Sequence, residues 1–156
     1  MGRLRLFGEL IEAGGAVEEG GGGSGGGGHQ IARVVRTAGD YSNPSTSFAD
    51  IDTANVVVNL TTGAGWVWLL LMSAVYSGSL QFTCFDFTVD GVRQGQTKGV
   101  QQVQAGYTQD LQIAWLTEVA AGSHVFRPQW RVTGGSAILR ASAAETPLVF
   151  AVLELQ

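Results

Sequence analysis

From residue 29 onward, apolar and polar residues alternate along much of the chain with the period of two that is typical of β-strands. Turn residues separate the alternating segments at intervals of roughly 8–14 residues, and no segment has a convincing helical period. The pattern predicts strands over residues 31–37, 54–60, 65–76, 80–89, 111–119, 124–132, 137–141 and 147–155, with one or two edge strands within 92–104. Such a series indicates an all-β sandwich or barrel.

Three local features refine this pattern. The alternation changes phase at Cys84-Phe85, which predicts a β-bulge, and Asp90-Gly91 predicts a tight hairpin turn because both residues tolerate positive φ. The segment 65–76 is apolar on both faces but too short for a membrane-spanning helix, which needs about 20 residues. We therefore expect a buried strand, and its surplus apolar face suggests a subunit interface.

Glycine divides the chain into three parts. Twelve of the 23 glycines fall within the first 30 residues, and the run from Gly20 to Gly28 is interrupted only by Ser24. A tract with no side chains to bury behaves as a flexible tether, and a natural tether and an engineered linker would share this composition. We predict an anchor peptide over 1–19, a glycine-rich linker over 20–28 and a β-sandwich domain over 29–156.

The segment before the tether has apolar residues at helical spacing. A helix this short is marginal in isolation, so we expect it to dock on another surface. Its short apolar stretch is interrupted by Glu9 and Glu12, which disfavours a signal peptide, and its polar face is not basic enough for a membrane-surface helix. We predict that it anchors in a partner protein, and the alternative is that it folds back onto its own body. The predicted anchor residues are Leu4, Leu6, Phe7, Leu10 and Ile11.

Charge and composition exclude several function classes. Only 14% of the residues are charged and the net charge is −4, which argues against a nucleic-acid partner. The one cysteine, Cys84, rules out a Cys-rich zinc site, and two histidines disfavour a His-rich one. Asp40, Asp50 and Asp52 lack the alternating pattern of a calcium-binding loop. We predict neither a metal nor a cofactor.

Candidate catalytic residues are few. Ser123 and His124 are adjacent on a predicted strand, so their side chains point to opposite faces, and His124 is expected to be a surface histidine. Asp86 and Asp90 share a face, but Asp90 is needed in its turn, which leaves no carboxylate pair for glycoside hydrolysis. The chain is not expected to be an enzyme.

A group of cations provides a candidate ligand or interface surface. Arg127 and Arg131 lie four residues apart on one predicted strand, and Arg93 and Lys98 follow the predicted hairpin. Together with the aromatic side chain of Tyr107, they are candidates for inter-subunit salt bridges or for a site that binds an anionic sugar. The alternative is that they are simply solvated charges.

The order of these signals resembles the small jelly-roll β-sandwich modules of tailed-bacteriophage virion proteins. The resemblance lies in the stretches Ser45–Asp52, Phe87–Val92, Ala121–Trp130 and Val149–Leu155, and in the glycine run before the module. It covers about residues 20–156. It implies a jelly roll of eight to ten strands and a homotrimer of the tumour-necrosis-factor-like kind. It also implies exposure on a virion as a capsid decoration, a head fibre or a tail-fibre tip. No catalytic residues are implied.

We therefore expect a structural protein on the virion surface, assembled in the host cytoplasm, that docks to other virion proteins through residues 1–19. Neither nucleic-acid binding nor membrane insertion is expected. The alternative function is a carbohydrate-binding adhesin that recognises a host surface glycan during attachment. In that case exposed Trp, Tyr and Arg side chains would form the glycan site, and Tyr41, Tyr107 and the Gln-rich loop around Gln101-Gln102 are its candidate residues.

Overall fold

The computed structural model describes residues 29–77, 81–104, 106–144 and 146–155, so the predicted anchor peptide and linker lie outside the described residues. These ranges contain no helix, and hence none long and apolar enough to cross a membrane. Their twelve strands are β1 (Ile31–Arg36), β2 (Tyr41–Asn43), β3 (Ala49–Asp50), β4 (Val58–Thr62), β5 (Gly65–Ser77), β6 (Phe82–Val89), β7 (Val92–Arg93), β8 (Gln101–Gln104), β9 (Gln109–Val119), β10 (Gly122–Val132), β11 (Ala137–Leu139) and β12 (Leu148–Leu155).

The strands form two antiparallel sheets. Sheet A has the order β1-β12-β5-β11-β2, with β9 on the other side of β5. Sheet B has the order β3-β10-β6-β7, with β4 also paired to β10 and β8 also paired to β6. Eight principal strands pair in a nested way, β1 with β12, β4 with β10, β5 with β9 and β6 with β8, which is the arrangement of a jelly roll.

The predicted antiparallel sandwich is thus confirmed. The number of strands is larger than expected because β2, β3, β7 and β11, each two or three residues long, add to the eight principal strands. The predicted turn at Asp90-Gly91 joins β6 to β7, and both residues have positive φ, 51° and 80°. The predicted strand over 54–60 begins later, at Val58, although Val56 is fully buried before it.

The core lies between the two sheets. It is formed by every second residue of each strand, whose side chain points inward. Phe87 of sheet B stacks on Phe150 of sheet A, with ring centroids 6.0 Å apart. Phe85 and Trp130 stack within sheet B at 6.2 Å. Aromatic contacts of this kind add to the hydrophobic free energy gained by burying the side chains. The core therefore joins the two sheets through large rings that the alternation in the sequence places inward.

The pairing of strand β6 contradicts the predicted β-bulge. Residues Thr83–Val89 pair with β10 in a continuous register, so the β-bulge predicted at Cys84-Phe85 is wrong. The two-phase apolar pattern arises instead because the strand is buried on both faces: Cys84, Asp86 and the neighbouring aromatic residues have no exposed surface. A second layer must therefore cover the outer face of sheet B at this point.

The segment from 95 to 99 provides this layer. Gln94 and Val100 donate backbone hydrogen bonds to the carbonyls of Phe87 and Phe85, so the residues between them leave the sheet opposite Asp86. They fold over the outer face as a turn in which Gly99 N donates to Gln96 O at 2.8 Å. This turn is named the 95–99 loop.

The buried carboxylate of Asp86 holds the loop in place. Its Oδ1 accepts hydrogen bonds from the backbone of Phe87 and Gly95, each at 2.8 Å. Its Oδ2 accepts two from the Arg93 guanidinium, at 2.8 and 2.6 Å. A buried charge is tolerated only when it is paired and hydrogen-bonded in this way. Asp86 is therefore a structural residue.

The close packing of the loop predicts that Gly99→Ala destabilises the protein more than Gly39→Ala. Both glycines have left-handed φ, 80° and 84°, so each alanine incurs a backbone strain of roughly 1–2 kcal/mol. A Cβ at Gly99 would also collide with the carbonyl oxygen of Phe85, whereas nothing lies within 4 Å at Gly39. Equal losses in the free energy of unfolding, measured by urea denaturation, would contradict the tight packing of the loop.

Candidate functional site

The outer face of sheet A is apolar and uncovered by any described residue. Alternate residues of β5 point away from the core, and Trp66 and Trp68 remain 48% and 44% exposed. Leu116 on β9 is 48% exposed and Ile31 on β1 is 59% exposed. The outer apolar face consists of Ile31, Val35, Trp66, Trp68, Leu70, Met72, Leu116, Val149, Leu153 and Leu155.

The strand register makes this face continuous. Ile31 lies opposite Leu153, Leu153 opposite Trp68, and Trp68 opposite Leu116, so one row of large apolar side chains crosses four strands. A second row joins Val35, Val149 and Met72. Contiguous apolar patches of this kind on soluble proteins mark interaction sites, because exposure of apolar area to water costs free energy.

Charges on this face lie at its two opposite edges. Arg33 lies on β1, at one edge, while Asp110 and Glu118 lie on β9, at the other. All three are exposed and share the outward phase of their strands. The face is therefore electrostatically asymmetric, positive at the β1 edge and negative at the β9 edge.

The outer face of sheet B differs, because two of the predicted cations meet there. The guanidinium carbons of Arg93 and Arg131 lie 3.9 and 5.2 Å from the centre of the Phe48 ring. Lys98 is on the 95–99 loop that covers the same face. We name Phe48, Arg93, Lys98 and Arg131 the basic cluster. Cations over an aromatic ring are stabilised by its negative face.

The other two predicted site residues lie apart from this cluster. Arg127 interacts with Asp50, with 3.7 Å between its Nε and the carboxylate Oδ2. Tyr107 is 69% exposed on the connection between β8 and β9, and none of the described contacts joins it to the arginines. Sequence reasoning did not identify Phe48 as a site residue. The signal that could have found it is that Phe48 is the one large apolar residue in the stretch 42–50.

The loop carboxylates all have structural partners. Asp40 accepts hydrogen bonds from Ala141 N at 2.9 Å and from the Arg140 side chain at 2.6 Å, which hold its pKa below the ordinary value. Asp52 accepts bonds from the backbone of Ala54 and Asn55. Within the residues that the structure describes, no group of three or more His, Cys, Asp or Glu side chains could hold a metal ion.

His124 is held by two acceptors. Its Nδ1 lies 2.7 Å from Asp90 Oδ2 and its Nε2 lies 2.9 Å from the carbonyl oxygen of Ala120. Since neither partner can donate, the two contacts favour the imidazolium, which donates from both ring nitrogens, over the neutral ring, which donates from only one. The bond to Asp90 is the main cause of a raised pKa for His124, and the pKa of Asp90 is lowered in turn.

This arrangement changes the expected role of His124. His124 lies near the start of β10 with its side chain 12% exposed, so it is a partly exposed histidine whose ring is held by two partners. The Ser123 hydroxyl lies 2.8 Å from Thr61 Oγ1. Asp90 also accepts a bond from Val125 N at 2.8 Å. The pair therefore fastens the β6–β7 turn to β10.

No protein-family model matches the chain, and a search of curated proteins finds no match.

The His124–Asp90 pair predicts a pH-dependent stability. Since folding raises the pKa of His124 above its ordinary 6.5, its contribution is complete below pH 6.5 and is lost as the pH rises through the folded value. The pKa of Asp90 is lowered, so the contribution is also lost as the pH falls through a value below 3.8.

We expect the free energy of unfolding to fall by no more than about 1 kcal/mol from this pair between pH 6 and 9, because Asp90 is half exposed. His124→Gln should lack this component. Urea denaturation at several pH values measures the difference. If the difference in the free energy of unfolding between the unaltered protein and His124→Gln does not change with pH, the imidazolium assignment is contradicted.

Proposed function

We propose that the chain is a non-enzymatic structural protein of a bacteriophage-like virion. In this proposal a homotrimeric β-sandwich is displayed on the particle surface as a decoration, spike or fibre, and it is docked through the N-terminal peptide. The observation that carries the proposal is the outer apolar face of sheet A, which a second copy of the same chain would cover. The resemblance to phage virion modules and the glycine-rich tether support the virion setting.

The charge pattern supports self-association in a ring. If the β9 edge of one copy meets the β1 edge of the next, Glu118 and Asp110 approach Arg33. Contacts between two different edges are heterologous, and they form a closed ring when the rotation between copies permits it. The expectation of three copies comes from the resemblance to phage virion modules. The opposite charges of the β1 and β9 edges agree with a cyclic arrangement of the copies.

The tether gives the assembly a simple mechanism. Residue 29, which follows the glycine run, lies next to β1, with His29 Nδ1 3.2 Å from the carbonyl oxygen of Glu154. Each copy would carry one anchor peptide at the end of a flexible linker. Anchors joined through one trimer bind with avidity, because the first binding event raises the effective concentration of the others.

Light scattering on the full chain tests self-association. We expect a mass near three times 16.4 kDa, and Trp68→Glu should lower it towards one chain because the new charge would be buried in the interface. Val92→Glu is the matched control, since Val92 is 66% exposed on β7 of the other sheet. A single-chain mass for the unaltered protein at micromolar concentration would overturn the proposal, and a two-chain mass would overturn the trimer.

The anchor makes a separate prediction. Replacing Phe7 and Leu10 together by serine should leave the mass in light scattering unchanged but abolish copurification with virions, because the apolar side of the peptide is lost. Val17→Ser is the control within the same segment, since Val17 is not among the predicted anchor residues. Virions that retain the Phe7/Leu10 variant would contradict docking through this peptide.

A further inference from the structure

The basic cluster concentrates positive charge on one face of an acidic chain. Four of the seven arginine and lysine residues in the described ranges lie on or against the outer face of sheet B: Arg93, Lys98, Arg127 and Arg131. Two of these charges are neutralised locally, Arg93 by Asp86 and Arg127 by Asp50. The charges of Lys98 and Arg131 form no ion pair with any described residue.

Arg131 is fixed in position by neutral groups. Its Nη1 donates to the carbonyl oxygen of Thr46 and its Nη2 to that of Thr97, each at 3.3 Å, and its guanidinium lies over the Phe48 ring. These partners orient the side chain without cancelling its charge. A guanidinium carries five N–H donors, so others remain to bind a carboxylate.

Lys98 lies on the 95–99 loop, which Arg131 contacts from strand β10. It follows Thr97, whose carbonyl accepts the bond from Arg131. The preceding carbonyl, that of Gln96, accepts bonds from Gly99 N and from Arg93 Nη2, at 2.8 and 2.7 Å. The two arginines therefore clamp the backbone of the turn that carries Lys98, so less backbone entropy is lost when a ligand binds.

Besides the Phe48 ring, the neighbours of these cations in the sheet and the loop include polar amide and hydroxyl side chains. Arg131 lies opposite Cys84 in the sheet, and Cys84 lies opposite Gln102. Gln96 and Thr97 are exposed on the loop itself. Amide and hydroxyl side chains can exchange hydrogen bonds with the hydroxyl groups of a sugar. A strongly basic stripe, as a nucleic acid would require, does not accompany them in a chain of net charge −4.

We propose that the basic cluster binds a saccharide that bears a carboxylate, with Arg131 and Lys98 contacting the carboxylate and the neighbouring Gln and Thr side chains contacting hydroxyl groups. The site goes beyond the structural function proposed above and does not depend on it. It lies on the opposite side of the sandwich from the outer apolar face, so a self-associated protein would still expose it.

Isothermal titration of the full-length protein tests this inference. The acidic ligands are trigalacturonic acid and sialyllactose, and the neutral counterparts are maltotriose and lactose. We expect at least one acidic ligand to bind and its neutral counterpart not to bind. Arg131→Gln should weaken the binding about tenfold or more, because charge-assisted hydrogen bonds are lost, and Lys98→Gln should weaken it less. Raising the salt concentration should also weaken the binding, because the site is exposed.

Arg127→Gln is the matched control, since Arg127 lies on the same strand and face as Arg131 but apart from the basic cluster, with its charge paired to Asp50, and its binding should equal that of the unaltered protein. Light scattering of the same samples measures self-association separately. A failure of the saccharide-binding proposal can therefore be distinguished from a failure of the self-association proposal. The inference is overturned if neither acidic sugar binds or if the neutral sugars bind equally well. It is also overturned if inorganic phosphate binds as tightly as the acidic sugars, or if Arg131→Gln has no effect while the variant remains folded.

Discussion

Strand β5 imposes the constraint on which much of the molecule depends, because it carries large apolar side chains on both faces. Val67, Leu69 and Leu71 fill the core, while Trp66 and Trp68 point out of the sandwich. A two-layered sandwich can bury only one face of each sheet. The inward side fixes how the sheets pack, and the outward side leaves an apolar surface that a partner must cover.

The two sheets handle their outer faces differently. Sheet B covers the outer face of β6 with its own chain, using Phe48 and the 95–99 loop, and Asp86 holds this cover through three hydrogen bonds, from Gly95 N and from the Arg93 guanidinium. Sheet A has no such cover within the described residues. The side of sheet B is thereby free to present fixed charges to a small ligand, whereas the side of sheet A is suited to a partner with an apolar surface.

The sequence contained enough information for the class of fold and most strands. The apolar segment 147–155 predicts the strand that β12 forms, and Asp90-Gly91 predicts the turn that follows β6. The apolar pattern over 80–89 led to the wrong prediction of a β-bulge. Burial of a strand on both faces and a bulge both change the phase of the alternation between apolar and polar residues. Only the position of the 95–99 loop distinguishes them, and that position depends on tertiary packing.

The candidate site was less predictable for the same reason. Arg93 and Arg131 are far apart along the chain, and they meet over a ring contributed by a third segment, at Phe48. Spacing along one strand suggested Arg127 and Arg131 as the pair, because strand periodicity reports which residues share a face but not which loops fold over it. The partner of His124 likewise lies on another strand connection, at Asp90.

The nested pairing of the strands has a consequence for how the chain folds. The contact between His29 and Glu154 joins residues 125 positions apart, and the whole of β1 pairs with β12. Contacts of such large sequence separation slow folding, since the entropy of closing a long loop is lost before the contact is gained. During synthesis, β1 has no partner until the ribosome has made β12. The segment that carries the tether is therefore the last to be locked into the sheet, and the exposed edge of β12 is vulnerable to mispairing until then.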